Sequence, residues 1–187
     1  MRRRALLHND IEYVDLGLPS GTLWAKYNIG ATSETEYGGY YKYGRTTTGC
    51  SVGQYYGTEN PLAASADVVT QTYGDRWHTP TSGQCQELID NTTYTWETNF
   101  NGSGINGLKM TSKTKPNVYL FLPAGGRLTD GCVFENVGTY GYFLTNTPYD
   151  SENFCGFYIY SKGPRMSNGS TTRRRIPRMA RGVKDSA

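Results

Sequence analysis

The residues best suited to chemistry lie in the C-terminal part of the chain, where tyrosines are interspersed with arginines and lysines. The candidate binding residues are Tyr149, Tyr158, Tyr160, Lys162, Arg165, Met166, Asn168, Arg173, Arg175, Ile176 and Arg178. Tyrosine offers rigid amphipathic contact area, and the arginine guanidinium group donates forked hydrogen bonds, so both are enriched where protein interfaces gain most of their energy. We expect residues from about 140 to 184 to form a ligand-binding surface. The alternative is half-buried sheet packing for some of the tyrosines and a solubilising role for the arginines.

The charge of the chain is distributed unevenly. After Tyr160 eight basic residues stand against the single acid Asp185, which leaves +7 on this tail and −4 on the rest of the chain. A basic surface on a slightly acidic body favours an anionic partner. The alternative is that the basic residues form a solvated face, with one or two arginines at the edge of the core, which would give the same net charge. Aromatic residues between arginines also suit single-stranded nucleic acid, but nothing else in the chain is typical of a nucleic-acid-binding fold.

No constellation typical of an enzyme or a metal site is recognisable. The histidines are His8 and His78, and His78 follows Trp77, where a packed or hydrogen-bonded role is expected. No Ser-His-Asp arrangement, carboxylate dyad or metal-ligand spacing occurs. The four cysteines, at positions 50, 85, 132 and 155, lack the short spacing of a zinc site. We expect small buried hydrophobes or at most one disulfide, with no catalytic residue, metal or cofactor.

Length and composition predict the frame that must position these residues. A chain of 187 residues is most simply one domain, and it can bury a core without disulfides or metal. Glycine and tyrosine are abundant, with 23 and 16 copies, and threonine and asparagine outweigh the residues of long amphipathic helices. This favours an α+β fold of short antiparallel strands, one or two helices and long irregular loops. No apolar run approaches the length of a membrane span.

Individual elements follow from local patterns. An opening hairpin is predicted over residues 12–18 and 22–29, and a strand over residues 40–43. A helix is predicted over residues 82–91 because Cys85, Leu88 and Ile89 share one face, and Thr81 or Ser82 can cap it. One or two helical turns are expected over residues 33–37, and a long irregular loop over residues 45–73.

The centre of the domain is predicted to be an antiparallel ribbon. Residues 119–127 form a short apolar strand that ends at proline and glycine, and residues 138–147 form an aromatic strand. Asp130-Gly131 between them is a turn signal. Further strands are expected over residues 94–98, 108–112, 154–161 and 178–183.

The first ten residues have the basic opening of a signal peptide, but the apolar stretch is only Ala5-Leu6-Leu7. The protein is therefore not exported by this route, or is a piece of a larger product, or reaches a surface as part of an assembly. We expect residues 1–10 to be a frayed end or a contact arm.

Several longer motifs carry a family resemblance. They are YVDLGLPSGTLWA at residues 13–25, NIGA at 28–31, YGGYY at 37–41, WHTPT at 77–81, NGLK at 106–109 and FLPAGGR at 121–127. They resemble those of a large family from Bacteroidetes and their phages, the major paralogous domain of Fibrobacter succinogenes. The resemblance implies a C-type lectin-like fold related to formylglycine-generating enzymes and to the variable proteins of diversity-generating retroelements. In those variable proteins, the C-terminal part forms a ligand-binding surface that mutagenic reverse transcription rewrites.

The sequence departs from the family in this C-terminal part. The usual Tyr-Trp-Ser-Ser-Thr is replaced at residues 143–147, and of the usual closing motif only Arg174, Arg181 and Val183 fit. The region is either a diversified binding face or the product of ordinary drift. The calcium-binding motifs of sugar-binding lectins are missing, because Lys115-Pro116-Asn117 lacks the carboxylate. The cysteines do not match the copper-binding pair of the formylglycine enzymes.

The resemblance implies a non-enzymatic recognition or adhesion domain. Its expected location is a virion, the extracellular space or a cell surface. Its expected partner is a protein or glycan of a cell surface, with a homo-oligomer or a virion neighbour as further partners. One alternative is a structural subunit whose basic tail docks onto neighbouring subunits. Another is an oxidase of the formylglycine-generating type.

Overall fold

The computed structural model describes residues 11–169 and 172–186, so the expectation for residues 1–10 lies outside the described residues. Within these ranges the chain is mostly β-sheet with two α-helices, in agreement with the predicted α+β class. None of the described helices has the length and apolar character needed to cross a membrane.

The elements are short, as the composition predicted. The two helices are α1 (Val68–Tyr73) and α2 (Ser82–Asp90). The strands are β1 (Tyr13–Val14), β2 (Leu23–Asn28), β3 (Tyr40–Tyr41), β4 (Trp77–His78), β5 (Thr92–Glu97), β6 (Gly107–Ser112), β7 (Tyr119–Pro123), β8 (Arg127–Leu128), β9 (Phe134–Glu135), β10 (Tyr140–Phe143), β11 (Gly156–Tyr160), β12 (Gly163–Ser167), β13 (Arg178–Met179) and β14 (Arg181–Lys184).

Four sheets organise the described strands. Their strand orders are β1-β2-β14-β4, β12-β11-β10-β13-β3, β5-β6-β7 and β8-β9. All pairs are antiparallel except β10 with β13, which run parallel where Phe143 lies opposite Met179. Leucines of β6 and β7, together with Phe157 and Ile159 of β11, belong to one buried cluster that also includes residues of α2. The second and third sheets therefore share a core with α2.

The opening hairpin and α2 confirm the local predictions. Val14 of β1 lies opposite Trp24 of β2, and Gly21 closes the turn through its N–H bond to Leu18 O. Helix α2 begins after a capping box, because the Thr81 hydroxyl accepts from Gln84 N–H while the Gln84 side chain accepts from Thr81 N–H. The helix buries Cys85 and Leu88, two of the three residues that predicted its face.

Two local predictions were wrong. Residues 33–37 form bends and a turn instead of helical turns. The irregular loop predicted over residues 45–73 ends in α1, which begins after Asp67. The carboxylate of Asp67 caps α1 by accepting from the Val69 and Thr70 N–H groups, and it also accepts from Thr79. A buried carboxylate that holds together two separate segments is invisible to local periodicity.

The predicted central ribbon was also wrong. Strand β7 pairs with β6, while β10 pairs with β11 and β13. The two predicted halves meet at an isolated parallel bridge between Gly126 and Gly141 and at the hydrogen bond from Gly138 N–H to Ala124 O. Gly126 has φ of +61° and lies so close to Glu135 O that a β-carbon would come within 2.1 Å. The glycine therefore lets the chain leave the sheet and enter the hairpin β8–β9, whose tip is the predicted Asp130-Gly131 turn.

The predicted closing strand over residues 178–183 divides at Ala180 into β13 and β14, which belong to different sheets. Arg181 directly follows this division and is 1% exposed. Its guanidinium group donates to Asn28 Oδ1 at 2.7 Å, Lys26 O at 2.8 Å and Phe121 O at 3.1 Å. One side chain therefore joins β14, β2 and β7.

One disulfide joins Cys50 to Cys132 across 82 residues of sequence, while Cys85 and Cys155 are free thiols. This agrees with the expectation of at most one disulfide. The bond ties the loop after β3 to the tip region of the β8–β9 hairpin, so it fixes the position of an otherwise exposed turn.

Replacing Arg181 by Lys should lower the free energy of unfolding by about 3 kcal/mol or more, because a lysine cannot reach the acceptors on both β2 and β7 and leaves buried carbonyl groups without donors. Urea unfolding measures the change. The control is Arg173→Lys at an exposed position, expected to change stability by less than about 0.5 kcal/mol. Equal changes in both variants would contradict the role given to Arg181.

The double variant Cys50→Ser and Cys132→Ser should lose about 4 kcal/mol of stability, because the closed loop restricts the unfolded chain. Wild-type protein under reducing conditions should unfold like the double variant. Thiol titration of unreduced protein in denaturant should find two reactive thiols, and a count of four would show that the bond does not form.

Candidate functional site

A cleft of about 450 Å³ opens on the outer face of the sheet that contains β10 and β11. Its lining residues come from the β8–β9 hairpin with the residue after it and from strands β10, β11, β12 and β13, and three of these residues are tyrosines: Arg127, Asn136, Tyr140, Tyr142, Tyr158, Ser167 and Arg178. The β8–β9 hairpin and the residue after it supply one wall, since they carry Arg127 and Asn136. Because the site joins distant segments, it exists only in the folded chain.

The tyrosines share one face because strand residues alternate in direction. Tyr140 lies opposite Tyr160 and Tyr142 lies opposite Tyr158 across the β10–β11 pair. The residues between them, including Phe157 and Ile159, point into the core. Tyr158 and Tyr160 therefore face away from Phe157 and Ile159, within the strand predicted over residues 154–161. The core side chains anchor the strands and so fix the spacing of the four rings.

Three of the four rings are nearly parallel. The Tyr140 ring centre lies 5.6 Å from that of Tyr142 and 5.3 Å from that of Tyr160, with interplanar angles of 9° and 1°. The Tyr158 ring is tilted by 32–35° against its neighbours. Parallel, offset rings attract each other, so the cluster supports itself as well as lying on the sheet.

Guanidinium groups lie against both ends of this row of rings. Those of Arg127 and Arg178 lie 4.7 and 5.5 Å from the centre of the Tyr142 ring, and that of Arg165 lies 5.7 Å from the centre of the Tyr160 ring. Each contact is a cation–π interaction. Arg127 also forms an ion pair with Glu135. The arginines and rings therefore hold one another in fixed positions.

The tyrosine hydroxyl groups differ in their hydrogen bonds. The Tyr142 hydroxyl accepts from Asn136 Nδ2 at 3.0 Å, and burial raises its pKa. Within residues 11–169 and 172–186, the hydroxyls of Tyr140, Tyr158 and Tyr160 make no hydrogen bond to protein. These three groups can therefore donate to or accept from a bound molecule.

Arg178 differs from the expectation of an exposed contact, because it is 2% exposed. Strand β13 lies inside its sheet between β10 and β3, and the Arg178 guanidinium is covered by the rings of Tyr142 and Phe154. Burial, followed by the positive charge of Arg127, lowers the pKa of Arg178 to about 9. Arg178 still lines the cleft, as a supporting group rather than as part of an exposed patch.

The other predicted residues are dispersed. Met166 is half-buried against the core and does not belong to the outer face, since it alternates with the exposed Arg165 on β12. Arg175 is half-buried and ion-paired to Asp130 at 2.8 Å, and Ile176 is half-buried beside it. The exposed residues outside the cleft lining are Tyr149, Lys162, Arg165, Asn168 and Arg173, and Tyr160 is half-buried beside the lining tyrosines. Of the eleven predicted residues, only Tyr158 and Arg178 line the cleft.

The basic tail is not displayed as one surface, which corrects the interpretation of its +7 charge. Arg174, Arg178 and Arg181 are buried. Arg174 donates to Gly57 O at 2.8 Å and to Asp150 O at 2.6 Å, and it lies against the Tyr43 ring. These arginines hold loops and strands together, so the alternative of arginines at the core edge describes part of the tail.

The sequence prediction missed five residues of the cleft by name, namely Arg127, Asn136, Tyr140, Tyr142 and Ser167. Tyr140 and Tyr142 had been assigned to the central ribbon, although their i, i+2 spacing already placed them on one face of a strand. Arg127 and Asn136 carry no local signal, because they reach the cleft through a hairpin that turns at Gly126.

His78 is hydrogen-bonded, as expected. Its Nδ1 lies 2.7 Å from Thr79 O and its Nε2 lies 3.1 Å from Asp185 Oδ1. Among the described residues, no group of three or more His, Cys, Asp and Glu side chains is arranged to hold a metal ion.

Replacing Tyr140 by Ala should lower the free energy of unfolding by about 1–3 kcal/mol, because both parallel ring contacts disappear. Tyr140→Phe keeps the ring and removes a hydroxyl without a protein partner, so it should stay within about 0.5 kcal/mol of wild type. Tyr149→Ala, at a residue that is 57% exposed, is the control. Chemical denaturation measures the free energy of unfolding of all three variants. A loss in Tyr140→Ala no larger than in the control would show that the ring cluster adds no stability.

Comparison of the chain with family models, with curated proteins and with solved structures found no match. The resemblance to the Fibrobacter succinogenes family therefore remains a prediction from the sequence motifs.

Proposed function

We propose that this protein is a non-enzymatic recognition domain that binds a molecule of a cell surface through the cleft and its rim. The observation that carries the proposal is the row of tyrosine rings, with guanidinium groups against both of its ends, around an open cleft of about 450 Å³. Tyrosine and arginine supply much of the energy at protein binding sites. The volume lies within the range of small-molecule sites.

The rigidity of the site supports binding. The core side chains of β10 and β11 fix the tyrosines from below, and the ring and cation–π contacts restrict them from above. A site that is ordered before binding loses little conformational freedom when the ligand arrives. Adaptable residues such as Lys162 and Arg173 lie outside the cleft, where they can add contacts with a larger partner.

We assign the fold to the C-type lectin-like class as part of this proposal. The sequence motifs support the assignment, and so do the pairing of β2 with β14 and the position of the cleft in the C-terminal half of the described chain. The resemblance to phage proteins and to retroelement variable proteins supports a place on a virion or a cell surface. In this view a protein or glycan of a target cell is the partner.

The test is binding of labelled protein to intact cells of a panel of Bacteroidetes, measured by flow cytometry. The double variant Tyr158→Ala and Tyr160→Ala should lose at least about tenfold in affinity, because hot-spot aromatic residues contribute about 1–2 kcal/mol each. The matched control replaces Tyr13 and Tyr56, two exposed tyrosines outside the cleft. If both double variants bind equally well and remain folded, the cleft is not the binding site.

A structural subunit is the second candidate function. The specific observation that favours it is an apolar group at the β8–β9 hairpin, where Val133, Phe134 and Val137 are all exposed. Exposed apolar groups of this kind mark contacts between proteins. A solution mass above that of one chain, reduced to it by Phe134→Ser, would favour this role.

A further inference from the structure

A second cavity, of about 480 Å³, is lined by residues of α1, β4 and α2 and shares no lining residue with the tyrosine cleft. Its volume lies within the range of small-molecule sites. Its described lining contains no lysine or arginine. It combines apolar side chains with three carboxylates, and includes Pro61, Leu62, Trp77, Asp67, Asp75 and Asp185.

One buried side chain of this cavity lacks a partner. Asn146 belongs to the lining and is 4% exposed, yet its amide forms no hydrogen bond within residues 11–169 and 172–186. Its backbone groups are already used, since the N–H donates to Pro80 O and the C=O accepts from Leu62 N–H and the Tyr43 hydroxyl. Buried amides normally have a partner. The side-chain amide is therefore the group that Asn146 offers to a bound molecule.

The buried carboxylate of Asp67 lies in the same lining and is 1% exposed. It accepts hydrogen bonds from Val69, Thr70 and Thr79, which are all neutral donors. It forms no ion pair with a basic side chain of the described chain. Its Oδ2 accepts only from Thr79 N–H, at 3.0 Å, and so keeps a lone pair free. A buried carboxylate held by neutral donors alone favours a cation beside it.

The other two carboxylates lie nearer to solvent. Asp75 is exposed and has neither a hydrogen bond nor an ion pair to the part of the chain that the structure describes, whereas Asp185 lies 3.1 Å from His78 Nε2. Arg76 and Lys184 line an adjoining cavity and pair with no described carboxylate. The inner part of the cavity thus carries the negative charge of Asp67, and Asp75 adds to it at the rim.

The arrangement distinguishes between kinds of cation. A calcium or magnesium ion needs several oxygen ligands at about 2.0–2.6 Å, and no three acidic, histidine or cysteine side chains of the described residues meet in this way. A primary ammonium group needs less, because it donates up to three hydrogen bonds to acceptors around one centre. The apolar residues Leu62 and Trp77 suit the carbon part of such a ligand.

We propose that this cavity binds a small primary amine, with its ammonium group at Asp67 and Asn146 and its carbon part against Leu62 and Trp77. This is a second binding site, and it does not depend on the function proposed for the tyrosine cleft. A half-turn of the last side-chain bond of Asn146 exchanges its oxygen and nitrogen, so the amide can serve as an acceptor for the ammonium group.

The first experiment is an NMR titration of the ¹⁵N-labelled full chain with butylamine, butan-1-ol and butyltrimethylammonium. Butylamine should bind at least about tenfold more tightly than the other two, because the alcohol carries no charge and the quaternary ion has no N–H donor. The signals that shift should include the side-chain amide of Asn146. Equal affinity for the three compounds, or shifts confined to other parts of the chain, overturns the proposal.

The second experiment uses Asn146→Leu, which should weaken butylamine binding at least about tenfold. The same change should leave the melting temperature equal to that of wild type or raise it, because leucine has a similar volume and removes an unpartnered buried amide. A lower melting temperature with unchanged butylamine affinity would show that Asn146 has only a structural role.

Asp75→Asn keeps the proposal testable should Asn146→Leu fail to fold. Asp75 is exposed and unpartnered, so this change leaves the fold intact and should weaken butylamine binding about threefold or more. Asp90→Asn removes the same charge at an exposed position outside the cavity and is the matched control, with no change expected. Equal butylamine affinity in Asp75→Asn and Asp90→Asn overturns the proposal.

Discussion

The hydrogen bonds of one buried cation, Arg181, determine how the sheets of this protein fit together. Its guanidinium group is surrounded by acceptors from two strands that are distant in sequence, β2 and β7. Burial lowers its pKa to about 10, so it stays charged at neutral pH and needs all of these acceptors. A buried charge without such partners is strongly destabilising. The arrangement of β14, β2 and β7 is therefore specified by this requirement as well as by apolar packing.

The segment of residues 178–181 connects the sheets joined by Arg181 to the cleft. Arg178 on β13 and Arg181 on β14 are separated by only two residues, yet one lines the cleft and the other joins the sheets. Met179 between them is buried in the core beside β10, because Phe143 is its parallel partner. Any movement of this segment would displace the guanidinium group that contacts Tyr142. The packing of the sheets joined by Arg181 and the geometry of the cleft are thus physically coupled.

Local signals predicted the elements that depend on neighbours in sequence. The capping residue Thr81 and the apolar face of Cys85 and Leu88 predicted α2, and local strand patterns predicted the opening hairpin and β11. The pairing of β7 was predicted wrongly, because alternation marks a strand without showing its partner; β7 pairs with β6, the strand directly before it in sequence. The glycine at position 126 signalled a bend without indicating its direction.

The candidate site was predicted only in part for a related reason. Composition identified tyrosine and arginine as the relevant residue types and the C-terminal half as their location. It could not distinguish Arg165, which is exposed, from Arg174 and Arg178, which are buried, because burial of a charge is decided by acceptors elsewhere in the chain. Arg127 reaches the cleft through a turn and an ion pair that no spacing rule describes.

The wall and the floor of the cleft belong to different sheets. The floor is anchored by the core side chains of β10 and β11, whereas the wall is a two-stranded hairpin held at its tip by the bond between Cys50 and Cys132. Leu128 of the hairpin is part of the core that also contains Phe143 and Phe157, whereas Val133 near the tip is exposed. Exposed hairpin positions can therefore change the shape of the wall without removing a core contact, and for the proposed recognition function they are the positions that give the site evolvability.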